Sequence, residues 1–248
     1  MSTEPAIRAF AARILPLLDL TSLGEDDTPA RIESLCAAAA SPHGAVAAVC
    51  VQPEHVTTAR RALSATPVAV ATVVNFPDGA DDPGRIERET RRAVAAGAQE
   101  IDAVLPYRTL LAGLDERARR TVDACREACR GLPLKLIIES GVLEDADAIE
   151  RACRIGLDAG VDFLKTSTGR AAVHATPDAA RTMLDAIAAG GARCGFKAAG
   201  GIRTLDEARV YVELAEARLG AGFVAPRTFR IGASALHGAI LAALGPAP

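Results

Sequence analysis

Short β-branched apolar runs alternate with longer Ala-rich segments of helical period about eight times along the 248 residues of the chain. The predicted strands are Leu15 to Leu20, Val46 to Val51, Val68 to Val74, Glu100 to Leu105, Leu134 to Glu139, Phe163 to Thr166, Cys194 to Ala198 and Phe229 to Ala233. Such alternation implies parallel strands with right-handed crossovers, and eight units in roughly 250 residues fit a closed barrel better than an open sheet. We therefore predict an α/β fold in which residues 1–248 form a single (β/α)8 TIM barrel.

The helical segments carry start and stop signals. Thr28-Pro29 and Thr176-Pro177 each place an N-cap residue before a proline at the first helical position. Gly97 and Gly160 come just before the fourth and sixth predicted strands, where they are expected to end helices.

Composition excludes several classes of partner. Lys and Arg total 28 against 31 Asp and Glu, so no basic excess favours nucleic acid or an anionic membrane. Two Tyr, six Phe and no Trp provide no stacking platform for single-stranded nucleic acid. No apolar run reaches the ~20 residues of a membrane span, and the run ending at Leu18 leads into Asp19 without a signal-peptide cleavage site. We predict a cytoplasmic protein that binds neither nucleic acid nor membranes.

Neither disulfides nor bound metals are predicted. The six cysteines include no C-x-x-C pair, and a chain with this much core material needs no disulfide staple. Cys125 and Cys129 are four residues apart and are expected to pack on one helix face. The four histidines lack metal-binding spacing, and no phosphate-binding motif of a nucleotide site opens a helix. We expect chemistry without a metal or cofactor.

Polar residues are unusually frequent at the ends of the predicted strands, where barrel enzymes carry their chemistry. They are Asp19 and Thr21, Cys50, Asn75, Asp102, Glu139, Lys165 and Thr166, Lys197, and Ser234. Most lie within or directly after apolar runs, where an unpaired charge costs several kcal/mol and so needs a partner or a purpose.

Two of these residues, Lys165 and Lys197, are predicted to share one barrel mouth. Burial and mutual repulsion each lower the pKa of an ammonium group, and we expect both effects on both lysines. A lysine brought from about 10.4 towards 7 supplies a neutral amine that can attack a carbonyl to form an imine. The alternative is a buried salt bridge of Lys165 with Asp102 or Glu139, with Lys197 extending to solvent.

Asp102 lies midway along its predicted strand, and two roles remain open for it. It can move protons, directly or through a water positioned with Lys197. It can equally be the counter-charge of a buried lysine.

Glycine-bearing turns follow the last three strands: Thr168-Gly169-Arg170, Gly200-Gly201-Ile202-Arg203 and Gly232-Ala233-Ser234. Barrels commonly hold a phosphate in the loops after strands seven and eight, where glycine lets backbone N–H groups approach the oxygens. Arg170 and Arg203 add charge, and Ser234 adds a hydroxyl. A single Gly-Gly pair is more often an ordinary turn, but three turns in these loops favour a phosphate site.

Four segments are specific enough to indicate a family. They are Asp-Phe-Leu-Lys-Thr-Ser-Thr-Gly (162–169), Gly-Phe-Lys-Ala-Ala-Gly-Gly-Ile-Arg-Thr (195–204), Ala-Thr-Val-Val-Asn-Phe-Pro (71–77) and Glu-Ile-Asp-Ala-Val-Leu-Pro-Tyr (100–107). From about Leu15 to about Leu241 the chain resembles deoxyribose-phosphate aldolase of the bacterial class I type. The resemblance implies reversible cleavage of 2-deoxy-D-ribose 5-phosphate to acetaldehyde and D-glyceraldehyde 3-phosphate, in deoxyribose phosphate and nucleotide catabolism.

The resemblance also implies roles for individual residues. Lys165 corresponds to the lysine that forms the Schiff base, Lys197 to the lysine that perturbs it, and Asp102 to an acid/base that works through water. Asp19, Thr21 and Cys50 correspond to residues of the substrate pocket. The phosphate positions correspond to Gly169, Gly200, Gly201, Gly232 and Ser234, and their turns add Thr168, Arg170 and Arg203.

The sequence departs from the family at three places. Arg170 replaces a frequent Lys, and Ser234-Ala235 replaces a Ser-Ser pair. Both changes keep charge and most donors, so we expect phosphate recognition to survive with altered affinity. Many members end in a Tyr that assists proton transfer, whereas this chain ends Gly-Pro-Ala-Pro, so we expect the proton step to be slower or differently served.

Two other functions remain open. Arg170 and Ala235 are compatible with a Schiff-base aldolase that takes another acceptor, phosphorylated or not. A barrel that only binds a sugar phosphate is the non-enzyme alternative, which the intact lysine pair disfavours. The sequence does not specify an assembly, and a homodimer is the common default.

Overall fold

The computed structural model of the protein describes residues 4–246. Eight parallel strands close into one barrel, since the first pairs with both the second and the eighth. Their bounds are Leu18–Thr21 (β1), Ala48–Val51 (β2), Ala69–Val74 (β3), Glu100–Val104 (β4), Leu134–Ile137 (β5), Phe163–Lys165 (β6), Gly195–Ala199 (β7) and Phe229–Ala233 (β8). The predicted (β/α)8 barrel is confirmed. Ala247 and Pro248, at the end of the tail discussed above, lie outside the described residues.

The helices alternate with these strands around the barrel. Their bounds are Glu4–Ile14 (α1), Pro29–Ala38 (α2), Val56–Ala62 (α3), Pro83–Ala95 (α4), Tyr107–Leu111 (α5), Asp115–Ala128 (α6), Ser140–Leu143 (α7), Ala146–Asp158 (α8), Pro177–Ala189 (α9), Leu205–Leu219 (α10) and Ala235–Leu244 (α11). No helix within residues 4–246 combines the length and the apolar character that a membrane crossing requires.

The predicted helix signals are confirmed. The side chains of Thr28 and Thr176 cap α2 and α9 by accepting hydrogen bonds from backbone N–H groups of the first turn. Gly97 and Gly160 follow the ends of α4 and α8 with φ of 102° and 67°. All six cysteines are buried free thiols, Cys125 and Cys129 among them.

The predicted start of the first strand is wrong, and the fifth strand ends before the predicted Glu139. Leu15–Leu17 forms a 3-10 helix and the first strand starts only at Leu18, since Pro16 cannot donate to a strand ladder. The fifth strand ends at Ile137, and Glu139 has a left-handed backbone with φ of 55°. The other six strands agree with their predicted ranges within two residues at both ends. An unpredicted antiparallel hairpin pairs Ala40–Ser41 with Gly44–Ala45.

Along the strands, apolar residues alternate with charged ones. In β5, Leu134 and Leu136 belong to the apolar core, whereas Lys135 between them forms ion pairs with residues of other strands. Phe229 and Ile231 flank Arg230 in β8 in the same way. Since side chains of a barrel strand point alternately outward and inward, the main apolar core lies between strands and helices. The interior holds the charged residues together with a small second apolar cluster of Ala48, Cys50, Ala71 and Val73.

Candidate active site

One cavity of about 420 Å³ opens at the carboxyl ends of the strands. It is lined by residues of the predicted site, namely Thr21, Lys165, Thr168, Gly169, Arg170, Gly200, Gly201, Arg203, Gly232 and Ser234. Its other lining residues were not predicted as site residues: Ile202, Ala233 and Ala235 lie in or next to the predicted glycine turns, and the rest are Leu23, Gly24, His174 and Ala199. Residues distant in sequence thus meet around one space at the end of the barrel where chemistry is expected.

Lys165, the last residue of β6, is the lysine that lines this cavity. It is 3% exposed, and its Nζ donates to Asp102 Oδ2 over 2.8 Å. Burial lowers its pKa below that of a free lysine; the Asp102 carboxylate opposes the shift and the Lys197 charge adds to it. The expected direction and both expected causes are therefore present at Lys165.

Lys197 behaves in the opposite way, and the expectation of a lowered pKa is wrong for this residue. Burial acts to lower its pKa, but the carboxylates of Asp102 and Asp19 outweigh burial and raise it. Its Nζ donates to Asp19 Oδ2 over 2.5 Å and to Asp102 Oδ2 over 2.8 Å. Lys197 is fully buried, so the part of the alternative in which it extends to solvent is wrong. The other part, a buried salt bridge of Lys165 with Asp102, is present. Lys165 Nζ and Lys197 Nζ each lie 2.8 Å from the same oxygen, Asp102 Oδ2, so the two amines are close neighbours.

Asp102 joins three lysines. Its Oδ1 accepts from Lys135 Nζ over 2.8 Å, and its Oδ2 accepts from both Lys165 and Lys197. Burial acts to raise the pKa of this carboxyl, but the three ammonium charges hold it well below its usual range. Asp102 is therefore a carboxylate at neutral pH, able to accept a proton and already serving as a counter-charge.

Three charged residues of this interior were not predicted from the sequence. Lys135 contacts Glu100 over 2.6 Å, and Arg230 contacts Glu100 over 3.1 Å and Asp19 over 2.6 Å. The signal that identifies Lys135 and Arg230 is the alternation itself, because a charge between two apolar residues of a barrel strand faces inward.

These residues form a balanced cluster, which we call the charge cluster. It consists of the carboxylates of Asp19, Glu100 and Asp102, the cations of Lys135, Lys197 and Arg230, and Lys165. Three negative charges meet three positive charges before Lys165 is counted. A proton on Lys165 gives the buried cluster a net positive charge, whereas the neutral amine leaves the cluster balanced; burial, the largest cause of the lowered Lys165 pKa, acts in the same direction.

Asp19 and Cys50 do not line the cavity. Both are fully buried in the barrel interior, where Asp19 pairs with Lys197 and Arg230. Burial, assisted by the charge of Asp102, raises the pKa of the Cys50 thiol to about 11, so it is protonated. Thr21 does line the cavity, and its hydroxyl donates to the backbone oxygen of Asp19 over 2.8 Å.

The predicted phosphate loops lie side by side along one wall. Gly169, Gly200 and Gly201 have φ of 80°, 90° and 79°, a region that favours glycine. A Cβ on Gly200 would lie 3.0 Å from the Cβ of His174, so the histidine packs directly on this loop. Gly232 is needed for a different reason, because a Cβ there would lie 2.9 Å from Cε of Lys197.

The N-terminus of α11 also faces this wall. Ser234 is its N-cap and lines the cavity together with Ala235, and the Ser234 hydroxyl makes no capping hydrogen bond. A ten-residue helix that begins at a cavity offers backbone N–H groups and a favourable dipole to an anion.

Arg170 reaches across the cavity mouth. Its guanidinium donates to the backbone oxygen of Leu23, an oxygen that also accepts from Gln52 over 3.0 Å. The guanidinium lies 6.0 Å above the ring of Phe76. Arg170 therefore connects three loops at the rim, an arrangement that sequence reasoning did not predict because it depends on contacts between distant loops.

Asn75 and Glu139, two other polar residues at strand ends, hold loops and do not line the cavity. The Asn75 amide donates to the backbone oxygens of Ala80 and Val104. Glu139 accepts hydrogen bonds from Thr168 and is not the partner of Lys165. Within residues 4–246, no three His, Cys, Asp or Glu side chains are grouped to hold a metal ion.

The barrel and the cavity together define an enzyme-type (β/α)8 protein with a buried amine at its cavity and glycine loops on one wall. The family profile of the DeoC/LacD aldolases matches residues 13–239. The chain belongs to the DeoC/LacD family of aldolases, which are lyases that act on small molecules.

Solved structures agree with this assignment. A candidate deoxyribose-phosphate aldolase from Coccidioides immitis is 31% identical, covers 92% of this chain and 85% of its own, and superposes with a TM-score of 0.82. One from Toxoplasma gondii is 25% identical over 96% of both chains, with a TM-score of 0.88. A deoxyribose phosphate aldolase from Aeropyrum pernix, described as tetrameric, is 23% identical over 93% of this chain and 89% of its own, with a TM-score of 0.73, and supports the fold alone.

Proposed function

We propose that this protein is a class I deoxyribose-phosphate aldolase that reversibly cleaves 2-deoxy-D-ribose 5-phosphate to acetaldehyde and D-glyceraldehyde 3-phosphate. The observation that carries the proposal is a lysine at the cavity surface whose pKa is lowered, next to a charge cluster that is balanced without it. The resemblance of structures described as deoxyribose-phosphate aldolases supports the substrate. The expected setting is deoxyribose phosphate catabolism in the cytoplasm, with a homodimer as the default assembly.

The neutral amine of Lys165 attacks the aldehyde carbon of the open-chain sugar, and loss of water gives an iminium. A base then removes the proton of the C3 hydroxyl, the C2–C3 bond breaks, and its electron pair moves into the iminium to give an enamine. D-Glyceraldehyde 3-phosphate leaves. Protonation of the enamine at C2 and addition of water release acetaldehyde and return the amine.

Asp102 is the base of the charge cluster that touches the amine, at 2.8 Å from Lys165 Nζ. We assign it the proton transfers, through a bound water that is positioned with the help of Lys197. The substrate phosphate binds against Gly169, Gly200, Gly201, Gly232 and Ser234, with Arg170 and Arg203 neutralising its charge. Arg170 leaves the Leu23 oxygen to do so.

The test is reductive trapping. Incubation with acetaldehyde and borohydride should add a two-carbon group to Lys165, located by peptide mass spectrometry, and Lys165→Ala should remain folded, inactive and unlabelled. An adduct elsewhere, or full activity of Lys165→Ala, contradicts the proposal. Turnover of deoxyribose with and without its phosphate tests the acceptor site, since a large preference for the unphosphorylated sugar contradicts the phosphate assignment.

A further inference from the structure

The loop that follows β6 carries much of the cavity wall without regular structure of its own. Residues 166–176 lie between β6 and α9, and Thr168, Gly169, Arg170 and His174 of this loop line the cavity. An irregular loop keeps one conformation only if its neighbours hold it. The segment after β5, Glu139 to Gly141, contacts it at two points, and we call this segment the loop seat.

The first contact is made by the Glu139 carboxylate. It accepts hydrogen bonds from the backbone N–H of Thr168, at 3.2 Å and 3.3 Å from its two oxygens, and from the Thr168 hydroxyl over 2.5 Å. The Thr168 hydroxyl oxygen in turn accepts from the backbone N–H of Arg170 over 3.0 Å. A chain of hydrogen bonds thus runs from Glu139 to the turn that holds Gly169.

Glu139 is an unusual residue to find in this place. It is 2% exposed, and none of the ion pairs among residues 4–246 includes it. Its backbone is left-handed, with φ and ψ both 55°, a conformation that a residue with a side chain adopts at a cost. Burying a carboxylate and straining the backbone both cost folding free energy, which indicates that Glu139 has a specific role at this position.

The second contact is made by Gly141. A Cβ at this position would lie 2.1 Å from the backbone oxygen of Val173, so the loop rests on glycine backbone here. The neighbouring residue on the loop is His174, which packs on Gly200 of the next phosphate turn. The loop seat therefore holds both ends of the segment that forms the wall.

We propose that Glu139 is a positioning residue for phosphate recognition, acting through Thr168 on the turn at residues 168–170. The inference rests on the proposed function, because that turn is assigned there to the substrate phosphate. Glu139 does not line the cavity, whereas Thr168 does, so its effect is on the position of the turn and not on the reacting atoms.

The experiment compares Glu139→Gln with Glu144→Gln on 2-deoxy-D-ribose 5-phosphate and on 2-deoxy-D-ribose. Glu144 is an exposed carboxylate just after α7 and serves as the matched control. Loss of the charge-assisted bonds should raise KM for the phosphorylated sugar about tenfold in Glu139→Gln, with kcat/KM for the unphosphorylated sugar within about twofold of wild type. Glu144→Gln should match wild type on both.

An equal loss on both substrates overturns the proposal, because it indicates a role in chemistry or in folding at large. No loss on either substrate also overturns it. If Glu139→Gln does not fold, Glu139→Asp keeps the charge but shortens the side chain, so its bonds to Thr168 lengthen and the variant should show the same split between substrates; its absence overturns the proposal. In a double-mutant cycle, the effects of Glu139→Gln and Thr168→Val on KM for the phosphorylated sugar should be non-additive, since both changes remove the same interaction.

A separate measurement distinguishes failure of this inference from failure of the proposed function. Titration with inorganic phosphate, followed by thermal stability, reports on the turn without any aldolase chemistry. Weaker phosphate stabilisation of Glu139→Gln than of wild type supports the loop seat even if no adduct forms on Lys165. Equal stabilisation contradicts it, whatever the catalytic assays show.

Discussion

Lys165 and Lys135 are two buried lysines of the charge cluster, but only Lys135 is one of the cations that balance its carboxylates. Lys135 supplies one of the three cations that match the carboxylates of Asp19, Glu100 and Asp102, and these raise its pKa against the effect of burial. Lys165 is a fourth cation if protonated, and its pKa is lowered. The same side chain in neighbouring strands therefore has its pKa shifted in opposite directions, because the surrounding charges differ.

This difference predicts that replacing each lysine by methionine changes the stability of the protein differently. Lys135→Met leaves the three carboxylates one cation short and should cost about 3–5 kcal/mol of unfolding free energy. Lys165→Met removes an amine without which the cluster is already balanced, and it should leave stability unchanged or raise it by about 1 kcal/mol, a few degrees in Tm. Urea and thermal unfolding measure both. Comparable destabilisation by the two changes contradicts the balance described here.

At the scale of elements, the sequence predicts most of what positions the site. The eight strands follow from the alternation, and Lys165, Lys197 and Asp102 could be located because they interrupt apolar runs. Lys135 and Arg230 could have been identified from the same pattern. The Glu139–Thr168 contact, the His174 packing on Gly200 and the Arg170 bridge to Leu23 were not, since each joins residues from separate loops and leaves no periodic signal in the chain.

The fit between β7 and β8 gives a prediction at this scale. Gly232 of β8 leaves room for the Lys197 side chain, and an added methyl group would lie 2.9 Å from its Cε and 3.1 Å from the Cβ of Ala199. Gly232→Ala should cost about 1–3 kcal/mol by overpacking and should reduce aldolase activity, because Lys197 must move.

Gly238 provides the control for this prediction. It is exposed in α11, and nothing lies within 4 Å of a Cβ added there. Gly238→Ala should stabilise the protein by up to about 1 kcal/mol through helix propensity. Chemical unfolding and activity of the two variants check the pair, and a Gly232→Ala protein as stable and active as wild type would show that Lys197 does not need this space.

At the scale of the whole molecule, the barrel encloses a polar interior within an apolar shell. Asp19 and Asp102 are fully buried there, and their pKa values lie below the ordinary 3.8 because the surrounding cations outweigh the effect of burial. The unfolded chain therefore binds protons at these positions at a higher pH than the folded protein does.

The folded protein should therefore lose stability in acid. The stability that these two carboxylates contribute should be complete at neutral pH and should be lost progressively as pH falls below about 4, since the folded pKa values are the lowered ones. Unfolding free energies measured between about pH 7 and pH 3 check this direction. Asp102→Asn should start less stable and decline less steeply, and a decline that is unchanged in this variant would contradict the assignment to Asp102.

The balance of the charge cluster also bears on the step after the covalent bond forms. The imine on Lys165 draws electrons from the C2–C3 bond only in its protonated form, and this iminium cation stands in the same buried surroundings that disfavour the ammonium. Breaking the carbon–carbon bond pulls electrons onto that nitrogen and removes the charge. The arrangement that frees the amine to attack should thus also make it an effective electron acceptor, so one device serves two successive steps of the reaction.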